Sequence, residues 1–314
     1  MNKFKIILLA ISLLVVGGCV DNKGEIRYCD VGDYAADDFT IALDYRIPEG
    51  DGPFPTIVFV HGGSWAAGDL SEYWSEIDEA ASKGYTAVTV DYRLTAEKDE
   101  NDKSKYPWDA QIEDVKCAIR FLKANAVEYK VDVDNIGVAG FSAGGHLALM
   151  AGMTTDIPRF EEEGQYQEFS ASVNAVVAFS GPTDAIELYN TATPKAQAQK
   201  IAVDFMQGTP DEVPATYLDA SPISYVDVAE IPILLMHGDT DTRVVIEQSI
   251  TLVNLLDAAG HQEHPFIVYE GNPHQWAGEV RTHANANMFA FFDKHLKGDP
   301  STPLSCSPYP SCEG

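Results

Sequence analysis

The residues best suited to chemistry lie in the segment Gly140-Phe141-Ser142-Ala143-Gly144-Gly145. Apolar residues at 136–139 before it and at 147–151 after it predict a strand, a sharp turn and a helix. In such a Gly-x-Ser-x-Gly turn the serine takes a strained backbone conformation that exposes its hydroxyl as a nucleophile, and the crowded flanking positions require glycine. We expect the unpaired N–H of Ala143, at the helix start, to stabilise a developing oxyanion.

A second candidate motif, His61-Gly62-Gly63-Ser64-Trp65, follows the apolar strand predicted at 56–60. A glycine-rich loop after an early strand brings main-chain N–H groups close to a substrate oxygen, where they complete an oxyanion hole with Ala143. The alternative is a simple strand-to-helix turn, which favours glycine but does not require a histidine before it and a tryptophan after it. We therefore predict an oxyanion loop and expect Trp65 to wall the substrate site.

An acidic partner for a catalytic histidine is expected in the loop that follows the strand predicted at 231–236. That loop contains two aspartates. Asp241 lies in the loop proper and is favoured as the acid. Asp239 lies tighter against the strand end, where we expect its carboxylate to accept backbone N–H groups of the turn. Asp184, just past another strand, remains a further candidate.

The general base is expected after the last predicted strand, where the loop Glu270–Trp276 supplies His274. Its Nε2 would accept the Ser142 proton while Asp241 holds the Nδ1–H. His61 and His237, which flank strand ends, are expected to brace loops. The other helical histidines are expected to lie on helix surfaces or to pack: His146, His283 and His295.

Metal and nucleic-acid chemistry find little support in the composition. His261 and His264 resemble a metal pair, but they lack a third ligand nearby, so we predict no metal site and no cofactor. The chain has 48 acidic and 21 basic residues, a formal net charge of −27, and no run of Lys or Arg. We therefore expect no binding to nucleic acid or to anionic membrane surfaces.

The N-terminus predicts export. Lys3 and Lys5 precede an apolar stretch at 6–16, and Val16-Gly17-Gly18-Cys19 resembles a bacterial lipobox. We predict cleavage before Cys19 and lipid attachment there, giving an exported, membrane-anchored bacterial lipoprotein. Val20 rather than Asp after the cysteine favours the outer membrane. The alternatives are an uncleaved anchor or an ordinary signal peptide.

The remaining cysteines are interpreted by their neighbourhoods. Cys306 and Cys312 lie close together in a Pro/Ser-rich tail and are expected to pair in an oxidising compartment. Cys117 falls on an apolar helical face and is expected to be a buried, inert thiol. Cys29 is expected to be free.

The alternation of apolar strands with amphipathic helices predicts an α/β fold with a doubly wound, mainly parallel sheet. Alternating runs at 25–29 and 39–46 predict an antiparallel hairpin at the sheet edge, and Asp132–Asn135 is expected to turn into the serine strand. The strand signal disappears between 181 and 230, which predicts a small cap. The expected organisation is a lipoprotein signal peptide at 1–18, an N-terminal segment at 19–53, the main domain at 54–300 with its cap insertion at about 182–230, and a tail at 301–314.

The chain resembles the α/β-hydrolase fold carboxylesterases of the feruloyl-esterase-like group, related to the hormone-sensitive lipase family. The matching segments are His61–Trp65, Asp91–Leu94, Tyr106–Leu122, Val133–Ala151, Gly181–Asp184, Ala220–Ser224 and His237–Val245, together with His274. The resemblance implies that the N–H groups of Gly63 and Ser64 belong to the oxyanion hole. The oxyanion loop departs from the family pattern by reading Gly-Gly-Ser instead of Gly-Gly-Gly.

The expected activity is hydrolysis of short-chain acyl esters by a Ser142–His274–Asp241 triad, with acetyl or feruloyl esters of carbohydrates as the natural class. One alternative is a serine peptidase of the acylaminopeptidase or prolyl-oligopeptidase type, which shares the Asp-x-Arg-Val pattern of residues 241–244. Another is a non-catalytic surface-binding lipoprotein. The cap aromatics either stack on a sugar or aryl group or pack the cap against the sheet: Tyr189, Phe205 and Tyr217.

Overall fold

The computed structural model describes residues 22–29, 41–155, 157–161, 165–228, 230–305 and 311–313. The strands within these ranges form one sheet in the order β1-β2-β4-β3-β5-β6-β7-β8-β9. Their bounds are β1 Lys23–Cys29, β2 Ile41–Arg46, β3 Phe54–Val60, β4 Thr86–Val90, β5 Val131–Phe141, β6 Ala175–Phe179, β7 Ile233–Gly238, β8 Phe266–Tyr269 and β9 Ser311–Glu313. The strands from β4 to β8 in this order pair in parallel, and β1, β2 and β9 are antiparallel to their neighbours. The predicted doubly wound, mainly parallel sheet is therefore confirmed.

Helices cover both faces of this sheet. Their bounds are α1 Trp74–Ser82, α2 Ala110–Ala124, α3 Ala143–Met153, α4 Pro158–Glu161, α5 Ala185–Thr191, α6 Lys195–Met206, α7 Pro214–Asp219, α8 Glu247–Ala259 and α9 Gly278–Leu296, with 3₁₀ turns at Leu70–Tyr73 and Pro222–Tyr225. Helices α2, α3 and α8 contribute to one hydrophobic core, and α1 and α9 to the other. None of the helices in the described ranges is long and apolar enough to cross a bilayer.

The two cores explain why the central strands are apolar at successive positions. In β3, Val58 and Val60 face one core while Ile57 and Phe59 face the other, and all four side chains are fully buried. A strand buried on both faces has no solvent side, so it loses the polar alternation of an edge strand. This arrangement brings the carboxyl ends of the parallel strands to a common edge, where the candidate residues lie.

The segment between β6 and β7 folds into helices α5, α6 and α7 beside this edge. Phe205 is fully buried and stacks on Trp65 with ring centroids 4.3 Å apart. Tyr217 is also fully buried and makes an edge contact with Tyr189 at 6.1 Å. These aromatic rings pack within the protein, which favours the packing interpretation of the cap aromatics over stacking on a substrate.

One local prediction is wrong. Residues 132–135, expected as a turn, lie inside β5. Between the strand pairs Phe54–Val131 and Thr56–Ile136, β5 advances by five residues while β3 advances by two, so β5 contains a bulge. The bulge lets the polar residues leave the ladder without ending the strand. The tail, for which the sequence indicated no element, contributes β9 antiparallel to β8. Residues 39 and 40 of the predicted run at 39–46 lie outside the described residues, and so does the lipobox at 16–19.

Cys29 and Cys117 form a disulfide that joins β1 to α2 across 88 positions of sequence. The expectation of a free Cys29 and an inert Cys117 thiol is therefore wrong. Both residues are buried, and the pairing depends on how the edge hairpin lies over α2, which neither cysteine's local sequence encodes. The expected pairing of Cys306 with Cys312 lies outside the described side chains.

We predict that the double replacement Cys29→Ser and Cys117→Ser lowers the free energy of unfolding by about 2–5 kcal/mol, because a crosslink over a long loop restricts the unfolded chain. Chemical denaturation of the oxidised protein and of the variant measures the difference. A reducing agent should destabilise the parent protein and leave the variant unchanged. Equal stability of both proteins without reductant would contradict a stabilising role for this bridge.

Candidate active site

Ser142 lies at the sharp turn between β5 and α3. Its backbone φ is 57° and its ψ is −119°, a strained combination for a residue with a side chain. The Ser142 N–H donates to the Phe179 carbonyl at 2.8 Å, which ties the turn to the end of β6. The serine is only 8% exposed, so its hydroxyl is reached through a cavity and not from open surface.

The glycines around this turn are required by space. A Cβ on Gly140 would overlap the Gly144 carbonyl, and a Cβ on Gly144 would overlap the Val60 carbonyl at the end of β3. Helix α3 therefore begins in direct contact with two strand ends. Any larger residue at either position would push the helix N-terminus away from the serine.

Ser142, His274 and Asp241 form a continuous hydrogen-bonded chain. His274 Nε2 lies 2.9 Å from Ser142 Oγ, and His274 Nδ1 lies 2.6 Å from Asp241 Oδ2. A carboxylate only accepts, so Nδ1 carries the proton and Nε2 is left to accept from the serine hydroxyl. All three side chains are buried, which shields this chain from competing water.

Asp241 is held from both sides. Its Oδ1 accepts from the N–H groups of Arg243 at 2.8 Å and Val244 at 3.0 Å, while Oδ2 lies 3.4 Å from His237 Nε2. Burial by itself raises the pKa of Asp241, but hydrogen bonds from His237 and His274 outweigh it and hold that pKa well below its usual range. The carboxylate therefore stays ionised and oriented toward His274.

The other two candidate acids lie elsewhere. Asp239 accepts from the Gly271 N–H at 2.6 Å, so it joins the loop after β7 to the loop that carries His274. The expectation that Asp239 accepts a backbone N–H agrees with this geometry, although the donor belongs to the neighbouring loop. Asp184 caps helix α5 by accepting from the N–H groups of Ile186 and Glu187.

The glycine-rich loop after β3 takes a conformation with three successive positive φ angles. These are 103° at Gly63, 57° at Ser64 and 57° at Trp65. The Gly63 carbonyl accepts from the N–H groups of Ala66 and Ala67, and a Cβ on Gly63 would overlap the Ala67 carbonyl. The loop is therefore a tight turn whose shape requires glycine at its first bend.

Three N–H groups remain available near the serine. Among the described residues, no hydrogen-bond partner occupies the N–H groups of Gly63, Ser64 and Ala143. Ser64 and Ala143 both line the cavity that contains Ser142 and His274, and Gly63 adjoins Ser64 in the loop. Unpaired backbone donors beside a nucleophile are the arrangement that stabilises an oxyanion.

His61 braces this loop from beneath. Its Nδ1–H donates to the Gly62 carbonyl at 2.8 Å, and its ring stacks on Tyr92 at 4.2 Å. The Tyr92 hydroxyl in turn lies within hydrogen-bonding distance of the His61 and Gly62 carbonyls. Burial lowers the pKa of His61 to about 4, so the ring is neutral at pH 7.

The cavity beside Ser142 has a volume of about 110 Å³. The cap contributes much of its wall, and Trp65, expected from the sequence to wall the substrate site, is one of its lining residues. Its lining residues are Ser64, Trp65, Ser142, Ala143, Pro182, Leu188, Ala192, Thr193, Pro194, Gln197, Ala198, Ile201, Ala202, Arg243, Val244 and His274. The described site is therefore small, and most of its wall is apolar.

His146 makes contacts that its sequence context did not indicate. Trp65 Nε1 donates to His146 Nδ1 at 3.2 Å, and His146 Nε2 donates to the Ala220 carbonyl at 2.7 Å. Burial lowers the pKa of His146 to about 4, which keeps the ring neutral and able to accept. The histidine thus fixes the tryptophan wall to the cap. Sequence reasoning had no signal for this contact, since 81 positions separate the two residues.

Comparisons with known proteins found related sequences and related structures. The family model described as BD-FAE matches residues 43–256. Esterase LipC of Mycobacterium tuberculosis is 31% identical over 76% of this chain and 58% of its own length. The probable carboxylic ester hydrolase LipM of the same organism is 28% identical over 82% of this chain and 59% of its own length. The chain thus spans less than two thirds of these curated relatives.

Two solved structures have the same fold. A bifunctional GH43-CE protein of Bacteroides eggerthii superposes with a TM-score of 0.72 at 30% identity, covering 88% of this chain and 35% of that one. A truncated carbohydrate esterase from gut microbiota gives a TM-score of 0.69 at 25% identity, covering 88% of this chain and 98% of that one.

We predict that Asp241→Asn slows acylation of Ser142 by p-nitrophenyl acetate by about 10⁴-fold, because an amide no longer selects the His274 tautomer that accepts at Nε2. The burst of p-nitrophenol in rapid-mixing experiments measures this rate. Asp239→Asn is the matched control and should alter mainly the stability of the two joined loops. A large loss of acylation in Asp239→Asn alone would contradict the assignment of Asp241 as the acid.

Proposed function

The chain belongs to the BD-FAE family, and we propose that it is a serine carboxylesterase that hydrolyses short-chain acyl esters with Ser142, His274 and Asp241 as its catalytic triad. The observation that carries the proposal is the hydrogen-bonded chain from Asp241 through His274 to Ser142, which ends in a cavity lined by unpaired backbone donors. The esterase relatives named above support the same reaction class.

The geometry supports a two-step acyl transfer. Ser142 Oγ attacks the ester carbonyl while His274 Nε2 takes its proton, and Asp241 stabilises the resulting imidazolium. The N–H groups of Ala143, Ser64 and Gly63 stabilise the tetrahedral oxyanion, each by roughly 3 kcal/mol. His274 then returns the proton to the departing alcohol. Water, activated by the same histidine, releases the acid from Ser142.

The cavity supports a short acyl group. Its volume of about 110 Å³ is smaller than that of an engineered apolar cavity of about 150 Å³ that holds one benzene molecule. An acetyl group fits such a space, whereas a feruloyl group is larger than benzene and would extend beyond it. The name of the gut-microbiota neighbour, a carbohydrate esterase, supports a carbohydrate alcohol, so we favour acetylated carbohydrates as the natural class.

Two alternatives are less well supported. A peptidase of the acylaminopeptidase type shares the Asp241–Val244 pattern, but the relatives and neighbours compared above are named as ester hydrolases or carbohydrate esterases. A non-catalytic surface-binding role would not require the strained serine or the buried hydrogen-bonded chain.

We also propose that the protein is an exported, membrane-anchored lipoprotein that carries lipid on Cys19. The lipobox that motivates this proposal lies outside the described residues. The disulfide between Cys29 and Cys117 supports export, because such bonds form and persist in oxidising compartments and are rare in the bacterial cytoplasm.

The reaction is tested with Ser142→Ala and a panel of esters from p-nitrophenyl acetate to the laurate. The parent enzyme should prefer the shortest chains because its cavity is small, and the variant should lose nearly all turnover while keeping its fold by circular dichroism. A preference for long chains would contradict the small acyl site. Faster cleavage of aminoacyl p-nitroanilides than of any ester would replace the esterase by the peptidase.

The anchor is tested with Cys19→Ser. Metabolic labelling of the parent protein with palmitate in a bacterial host should give a lipid-labelled band that the variant lacks. Replacing Cys306 instead provides a matched control outside the lipobox and should leave the label intact. A label that persists in Cys19→Ser would place the acylation elsewhere.

A further inference from the structure

We propose that Arg243 forms a carboxylate-binding subsite beside Ser142, so that the preferred ester carries an acidic group, such as a uronic acid, on its alcohol portion. This inference rests on the proposed esterase function and deepens it by naming a substrate class. Among the described residues that line the cavity beside Ser142, Arg243 is the one with a permanent charge.

The side chain of Arg243 has the availability that a ligand-binding group needs. It is exposed at the cavity, and no carboxylate pairs with it among the residues that the structure describes. Four other arginines are each paired with acids: Arg46, Arg93, Arg159 and Arg281. Arg27 on β1 also has no acid partner among the described residues, so what distinguishes Arg243 is that its unpaired side chain lies at the cavity.

The backbone around Arg243 is fixed, which gives the side chain a defined origin. The Arg243 N–H donates to Asp241 Oδ1, and the preceding Thr242 carbonyl accepts from the Thr193 N–H of the cap at 2.8 Å. The Arg243 side chain therefore begins where the loop that carries Asp241 contacts the cap. Preorganisation of this kind lowers the entropic cost of binding a substrate.

The position also indicates which part of an ester Arg243 meets. Its N–H binds the same carboxylate that orients His274, so it lies on the His274 side of the cavity. The proposed mechanism places the departing alcohol on that side, since His274 delivers its proton. The apolar wall, including Trp65 and Ile201, is left for the acyl group.

The chemistry of a guanidinium favours a carboxylate over a neutral hydroxyl. Its planar fork binds the two carboxylate oxygens at once, and charge-assisted hydrogen bonds are stronger than neutral ones. The chain has a formal net charge of −27, so its general field repels anions. A cation at the cavity offsets that repulsion locally and favours esters whose carboxylate lies next to it.

The test compares two esters that share an acetyl group, 4-acetoxybenzoate and the neutral 4-acetoxybenzamide. The ratio of their kcat/KM values is measured in the parent enzyme, in Arg243→Gln and in Arg27→Gln, an exposed arginine on β1 that serves as the matched charge control. Comparing this ratio between proteins cancels the intrinsic reactivity of the two esters. We expect Arg243→Gln to lower the ratio about tenfold or more and Arg27→Gln to leave it unchanged.

An unchanged ratio in Arg243→Gln, or an equal fall in Arg27→Gln, would overturn the subsite while leaving the esterase proposal intact. Arg243→Lys should recover only part of the preference, because an ammonium lacks the planar fork. A parent enzyme that cleaves neither ester would contradict the proposed esterase function and, with it, the carboxylate subsite.

Discussion

The close approach of strand and helix at Ser142 is the constraint on which the rest of the site depends. Helix α3 can begin against β5 and β3 only because Gly140 and Gly144 lack side chains, since a Cβ at either position would overlap a backbone carbonyl. The same approach forces the positive φ of Ser142 and lifts its hydroxyl above the sheet edge. It also brings the start of α3 next to the loop that follows β3.

That single contact therefore brings together both halves of the proposed oxyanion site. Gly144 touches the Val60 carbonyl, and the chain after Val60 continues into the loop that carries Gly63 and Ser64. The backbone donors of the loop and of Ala143 thus reach the cavity from neighbouring positions. Backbone donors held by packing need no reorganisation during the reaction, which is why their placement matters more than the identity of their side chains.

The parallel sheet supplies the histidine and the acid at the same edge. Strands β7 and β8 pair directly, so the loops that follow them lie side by side. A Cβ on Gly238 would overlap the Asn272 carbonyl, and Asp239 binds the Gly271 N–H, so the two loops pack tightly against each other. This contact holds Asp241 and His274 in register with a serine that follows β5, two strands away from β7.

The central parallel strands could be predicted because apolar runs bounded by glycine turns are local signals. The Cys29–Cys117 bridge could not, since it depends on the position of β1 over α2. The bulge in β5 could not be predicted for a different reason. A cluster of polar residues normally marks a turn, whereas here the polar residues bulge out of the hydrogen-bonded ladder within a strand. The contact of His146 with Trp65 and the place of Arg243 on the cavity wall likewise depend on the packing of the cap.

Covalent labelling shows whether Ser142 is the nucleophile. The protein is treated with diethyl p-nitrophenyl phosphate, digested and mapped by mass spectrometry while residual esterase activity is followed. We expect one phosphorylated peptide, modified at Ser142, whose appearance parallels the loss of activity. Full activity after complete modification of Ser142, or inactivation with the adduct on a different residue, would contradict it.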